Sequence, residues 1–331
     1  MKHLIAEFEK QSFTQIIFPH KKTDWSCCLD DAKRCFAEII LSIIKYQKCV
    51  VICADIDDAK AWLGNDAKLV FVEYETDDCW ARDISALSIM EGKRVKLLDF
   101  KFNGWGGKFD ATRDDAMTQN IKKHYDAKVK KIDFILEGGA VESNGVDTIL
   151  TTSKCMLNKN RNTSLDALSI TQKLNEYLGA TKILYLNYGY LAGDDTDSHI
   201  DTLARFINKD TIMYVKCSDE SDEHFLELGM MEKELQLLAK EHNFTLIPLP
   251  MCEPIYDDAK RLPATYANFL FVNGAVLVPT YDAKSDAKAL EVFHATFKDR
   301  DIVPIDCSTL IKQNGSLHCV TMNFSGTDIK I

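Results

Sequence analysis

Short apolar runs punctuate the chain and predict strands at Ile16–Phe18, Val50–Cys53, Leu69–Val72, Ser85–Met90 and Val95–Phe100. Others fall at Thr148–Thr151, Ile183–Leu186, Ile212–Val215, Leu246–Leu249, Phe269–Val272 and Val276–Pro279. The last two flank Asn273-Gly274, a strong hairpin signal. Between the runs, apolar residues recur at helical spacing. In Asp31–Tyr46 they are Phe36, Ile39, Ile40, Ile43 and Ile44; Ser164–Leu178, Glu223–His242 and Asp286–Phe297 read likewise. Strict alternation of strand and helix would predict a doubly wound parallel sheet. Here neighbouring strands also follow one another directly, so the expected class is mixed α/β with hairpins. No long Pro/Gly/Ser-rich linker interrupts the pattern, which predicts a single domain over residues 1–331.

Composition narrows the function classes. The chain has 331 residues and is 46% hydrophobic, enough for a sizeable core. Its formal charge of -10 argues against nucleic acid, whose binding needs clustered cations. An acidic surface steers small cations inward, although it also serves solubility. Eleven cysteines are present, without paired Cys-x-x-Cys knuckles, so no metal site is expected from them. Acids interrupt the apolar residues of Met1–Lys10, so no signal peptide is read there. No apolar stretch approaches membrane-span length. The expectation is a cytoplasmic protein, away from membranes, whose cysteines are mostly buried apolar residues.

A few segments carry chemistry. Cys319 follows Asn314-Gly315-Ser316, a turn that would present a thiol. The neighbouring His318 is a poor base for it, because adjacent side chains on an extended chain point apart; it reads as structural. His199 and Asp201, two apart, would share one face of a strand, together with Asp195 and Asp197. The same residues also fit a solvated acidic loop, or a divalent-ion site. Asp83, at the end of Trp80-Ala81-Arg82-Asp83, either caps a strand or offers a carboxylate to the planar fork of a guanidinium. Asp83 and Asp201 could grip such a group from two sides. Glu137 precedes Gly138-Gly139 and reads as a strand-end turn, or as an acid that orients His199. Trp105, in the glycine-rich Phe102–Phe109, and Trp80 are either core or walls of a pocket for a cationic chain.

Taken in order along the chain, these segments resemble the agmatine deiminases, members of the guanidine-modifying (pentein) superfamily that also holds the arginine and peptidyl-arginine deiminases. The resemblance rests on Trp80–Asp83, Phe102–Gly107, Glu137–Gly139, Thr196–Asp201 and Asn314–Cys319. Phe18-Pro19-His20 with Trp25, and Tyr266–Phe269 with Asn273-Gly274, add to it. It spans nearly the whole chain. It implies a five-bladed α/β-propeller of ββαβ units with pseudo-five-fold symmetry, and hydrolysis of agmatine to N-carbamoylputrescine and ammonia without a cofactor. By resemblance, Cys319 is the nucleophile, His199 the general acid and base, Asp83 and Asp201 the guanidinium clamp, and Glu137 the partner of His199. Asp195 is the candidate for the far amine, with Trp80, Trp105 and Asp197 as further substrate-binding residues. The resemblance places the enzyme in putrescine and polyamine metabolism. Free or peptidyl arginine is the alternative substrate, and a non-catalytic guanidino- or polyamine-binding protein the alternative class. The sequence leaves the oligomeric state open, a homodimer included. Three departures stand out. Ile84-Ser85-Ala86 replaces the family's Thr-Gly-Pro, Ser198 stands where the family has glycine, and the run before His318-Cys319 holds a single glycine.

Overall fold

The computed structural model describes residues 2–330. All eleven predicted strands and four predicted helices are present, with ends moved by a few residues. The first helix, for example, runs Leu29–Ile43 and turns Phe36, Ile39, Ile40 and Ile43 into the core. Helices at Ile56–Leu63 and Thr112–Ile121 were not legible in the sequence. The former is capped by Asp55, whose side chain accepts from the amides of Asp57 and Asp58. In the latter, charged and polar residues obscure the apolar stripe, and only Met117 and Ile121 bury large apolar side chains.

Among the described residues, five sheets share one connectivity: an antiparallel pair, then a helix, then a strand added in parallel. In one, Ala275–Thr280 pairs antiparallel with Leu270–Val272 across the Asn273-Gly274 turn. It then pairs parallel with Asp301–Asp306, after the helix Ser285–Thr296. The same order links Leu87–Glu91, Arg94–Lys101 and Lys128–Ile135; Glu142–Ser143, Thr148–Thr152 and Lys182–Leu186; and Ala204–Asn208, Thr211–Lys216 and Thr245–Pro250. The fifth sheet joins the two ends of the chain. Thr321–Phe324 pairs antiparallel with Phe13–Ile17, which pairs parallel with Lys48–Cys53. Two sheets carry an extra edge strand, Lys2–Leu4 and Leu69–Glu73, and a two-stranded ribbon joins Tyr256–Asp257 to Lys260–Arg261.

Several strands were missed for identifiable reasons. Lys128–Ile135 carries lysines at 128, 130 and 131 and buries only Ile132 and Phe134. Asp301–Asp306 contains Pro304, which is tolerated because the strand pairs on one side only. In Ala204–Asn208 the charged Arg205 is itself fully buried. The core is continuous across the sheets. Phe13 and Phe324 stack at 4.7 Å between centroids across the junction of the chain ends, with Tyr125 against both. Each such ring contributes roughly 1.5–3 kcal/mol by burial.

Candidate active site

Five loop segments converge, and each immediately precedes the first strand of one of the five sheets. They are the short helix Ala81–Ile84, the turn Gly138–Ala140, the turn Ile200–Thr202, Asn268, and the His318-Cys319 dipeptide. The backbone stitches them together. The amide of Arg82 donates to the Cys319 carbonyl at 3.1 Å. The Asn268 Oδ1 accepts from the amides of His318 (2.8 Å) and Cys319 (3.3 Å) and from the Cys319 thiol (3.4 Å). The single glycine of the loop before His318-Cys319, Gly315, is required by packing, since a Cβ there would fall 2.1 Å from the Trp80 ring.

Asp83, His199 and Asp201 meet around Gly139. A Cβ at Gly139 would lie 2.7 Å from His199 Nδ1 and 3.0 Å from both Asp201 Oδ2 and Asp83 Oδ1. Asp83 is oriented on both oxygens. Oδ1 accepts from the Gly139 amide at 3.0 Å and lies 3.7 Å from His199 Nδ1, while Oδ2 accepts from Trp105 Nε1 at 2.9 Å. All three side chains are almost wholly buried. Asp201 Oδ1 and His199 Nε2 find no hydrogen-bond partner among the described residues, an arrangement that proteins rarely tolerate away from functional sites.

Cys319 and Asp83 open onto a cavity of about 280 Å³ whose wall also holds Trp80, Trp105, Asp195, Asn314 and Gly315. Seven aspartates line it (24, 77, 78, 83, 110, 114 and 195), and the lysine on its wall, Lys22, is paired with Glu75 at 2.7 Å. Burial and mutual repulsion raise three of them well above the usual carboxylate range. Asp78 is pushed up to about 7 by burial and by Asp24, Asp114 to about 7 by burial and by Asp77 and Asp78, and Asp195 to about 6 by burial and Asp194. Burial, with help from Asp201 and Asp83, drives the Cys319 thiol well above its ordinary value. Burial also raises Asp83 above the usual carboxylate range. For His199, burial opposes the charged ring, but Asp83 and Cys155 outweigh it and raise the imidazole well above its ordinary value. Asp201 goes the other way: burial raises it, yet the hydrogen bond and charge of His318 leave it below the usual range.

The structure brings together Cys319, His199, Asp83, Asp201, Trp80, Trp105 and Asp195, but revises three expectations. His199 and Asp201 do not share a strand face. His199 is the N-cap of a 3-10 turn, after two left-handed residues, Asp197 (φ 69) and Ser198 (φ 67). Ser198 thus takes up the conformation that a glycine would adopt freely, and Asp194 holds the loop by accepting from its amide at 2.8 Å. Asp197 lies off the cavity wall, its carboxylate engaged by Arg161 at 2.8 Å and Lys108 at 2.9 Å. Glu137 has oxygen within 4.8 Å of a His199 nitrogen and the Cys155 sulfur, but both its oxygens accept from the buried Arg161, at 2.8 and 3.0 Å. That guanidinium also opposes a metal cation in the Glu137–Cys155–His199 cluster. Asn268, Arg161 and Cys155 were not singled out as site residues, because each acts through a neighbour and only proximity in the fold marks it.

The sequence matches the Porphyromonas-type peptidyl-arginine deiminase family over residues 3–324, and the chain belongs to that family. It is 28% identical to the agmatine deiminase of Pseudomonas aeruginosa, covering 96% of this chain and 93% of that protein. Its fold matches a cysteine-to-serine variant of the C. jejuni agmatine deiminase solved with substrate bound, with a TM-score of 0.93, 39% identity, and coverage of 98% of this chain and 96% of the other. It also matches a Porphyromonas gingivalis protein carrying the provisional name arginine deiminase, with a TM-score of 0.95, 43% identity, and coverage of 99% and 100%. No helix among the described residues is long and apolar enough to cross a membrane.

Proposed function

We propose that this chain hydrolyses agmatine to N-carbamoylputrescine and ammonia through a covalent amidino-cysteine on Cys319. The observation that carries the reading is a buried thiol and the buried Asp83 carboxylate on the wall of an aspartate-lined cavity, with Asp201 and His199 beside Asp83 at Gly139. Agmatine is a dication, and seven wall aspartates against one already paired lysine suit a cation at both ends. The α-carboxylate of free arginine would meet the same acids without a free cation on the wall. The agmatine deiminases among the relatives support this substrate.

The guanidinium sits between Asp83 and Asp201, which fixes its carbon beside the sulfur. Its positive charge lowers the Cys319 thiol from the raised value it holds beside two carboxylates, and the thiol releases its proton to solvent water in the cavity. The thiolate adds to the carbon. His199, held protonated beside Asp83, donates to the departing nitrogen, and ammonia leaves. The neutral imidazole then takes a proton from water as its oxygen adds to the amidino carbon. Cleavage of the C–S bond, with loss of the new hydroxyl's proton to solvent, releases the ureido product and restores the thiolate. Glu137, clamped by Arg161, adds negative charge near His199. Trp80 and Trp105 wall the chain of the substrate, and Asp195 takes the amine.

We read residues 1–331 as one catalytic unit in which the five ββαβ sheets stand as propeller blades around the site with pseudo-five-fold symmetry. The reading is supported by their shared connectivity and by the position of the five converging loops before first strands. The test is turnover of agmatine, arginine and an arginyl peptide, read as ammonia and ureido product. Agmatine should be the fastest and Cys319→Ala inactive. Faster turnover of arginine, or activity in Cys319→Ala, overturns the assignment. A protein that binds agmatine tightly without turnover would instead be a guanidino-binding protein.

A further inference from the structure

Behind Asp201 lies a buried charge network. His318 Nδ1 lies 2.7 Å from Asp201 Oδ2, and its Nε2 lies 2.5 Å from Glu7 Oε2. The ring therefore bridges two carboxylates, one at each nitrogen. Glu7 is fixed in turn. Its Oε1 accepts from the Phe271 amide at 2.8 Å, and its Oε2 takes Arg205 at 2.9 Å and Arg82 at 3.3 Å. Glu142 pairs with the other face of Arg205 at 2.7 Å. Three carboxylates (Glu7, Glu142, Asp201) thus meet Arg82, Arg205 and the His318 ring, all buried.

We infer that Glu7 and His318 are positioning residues: the Glu7–His318–Asp201 chain pins Oδ2 of Asp201 and leaves its Oδ1 to receive the guanidinium. The inference rests on the reading of Asp201 as half of the clamp. Neither Glu7 nor His318 lines the cavity; the His318 ring reaches the site through Asp201, which stands beside Asp83 and His199 at Gly139. The unpartnered state of Asp201 Oδ1, beside a fully engaged Oδ2, is what such a device leaves behind. His318 is also the residue before Cys319, and its amide shares the Asn268 oxygen with the thiol. One residue thus sets the clamp relative to the sulfur, its ring holding Asp201 and its backbone holding the nucleophile loop.

The test uses two alkylating agents of nearly equal size, 2-chloroacetamidine and 2-chloroacetamide. Each forms an S–C bond with Cys319 and releases chloride, but only the first carries a cation for the clamp. The rates are measured by mass spectrometry on the wild type, Glu7→Gln and His318→Gln. In the wild type the amidine reacts faster, and a wild type without that preference refutes the reading of the site itself. In the folded variants the preference falls about tenfold, the worth of one lost charged hydrogen bond, while the amide rate stays within about twofold. A preference that survives in the variants, or amidine and amide rates that shift together, overturns the inference and leaves His318 and Glu7 as structural. Should Glu7→Gln fail to fold, Glu7→Asp keeps the charge, shortens the reach, and is read by the same ratio.

Discussion

A single methyl group added at Gly139 should disable the site while leaving the fold in place. Gly139 is not in the left-handed region, so alanine brings no backbone strain. The new carbon would lie 2.7 Å from His199 Nδ1 and 3.0 Å from Asp83 Oδ1 and Asp201 Oδ2. That is roughly 0.7 Å inside an ordinary van der Waals separation at the imidazole. The three side chains must therefore spread apart. A misplacement of about 1 Å costs on the order of 10²-fold in rate, so Gly139→Ala should lower kcat by roughly 30- to 100-fold. Overpacking should cost only about 1–3 kcal/mol of stability. The assay is ammonia release from saturating agmatine, with thermal unfolding in parallel. Gly229→Ala is the control. It lies inside the helix Phe225–His242 with nothing within 4 Å of the new Cβ, so it should raise Tm slightly and leave kcat alone. A Gly139→Ala protein with kcat within twofold of the wild type would refute the convergence of Asp83, His199 and Asp201 on the reacting group.

Trp105→Phe keeps the edge-on packing against Phe102 and Phe109 but removes the 2.9 Å hydrogen bond to Asp83, and should cost about tenfold in kcat/KM with little change in Tm. Asp195 is held at about 6, so it is neutral below that pH and anionic above it; KM for agmatine should rise as pH falls through about 6, and Asp195→Asn should show a high KM that no longer varies over that range. Ser198→Gly relieves a left-handed serine whose buried hydroxyl has no partner, and should stabilise by about 1 kcal/mol as read by denaturant unfolding. Asp114→Asn tests the acid-lined wall. A carboxyl raised to about 7 in the folded state binds more protons there than when unfolded, so native stability falls as pH rises from about 4 to 7. The Tm advantage of the variant should grow over that interval.

What the sequence revealed followed from how local each signal was. Strands such as Val50–Cys53 and the Asn273-Gly274 hairpin were legible because apolar periodicity and turn chemistry are encoded within a few residues. Lys128–Ile135 was not, because its neighbours rather than its composition make it a strand. Cys319, His199, Asp83 and Asp201 were singled out through a resemblance covering most of the chain, and the fold brings them near one another. Asn268 and Arg161 became visible only once the fold brought them to Cys319 and Glu137. The strand reading of His199–Asp201 failed because two left-handed residues, Asp197 and Ser198, turn the chain into a 3-10 turn that alternation cannot signal. His318 was read as structural on the argument that adjacent side chains diverge. The divergence is real, since its ring faces Asp201 and Glu7 rather than the thiol, and that orientation gives it a place behind the clamp.

The most direct test is mass spectrometry of protein mixed briefly with agmatine and quenched in acid. The account predicts a transient adduct of agmatine less ammonia on the peptide bearing Cys319, absent in Cys319→Ala. Turnover without any such adduct, or an adduct on Cys155 in place of Cys319, would contradict it.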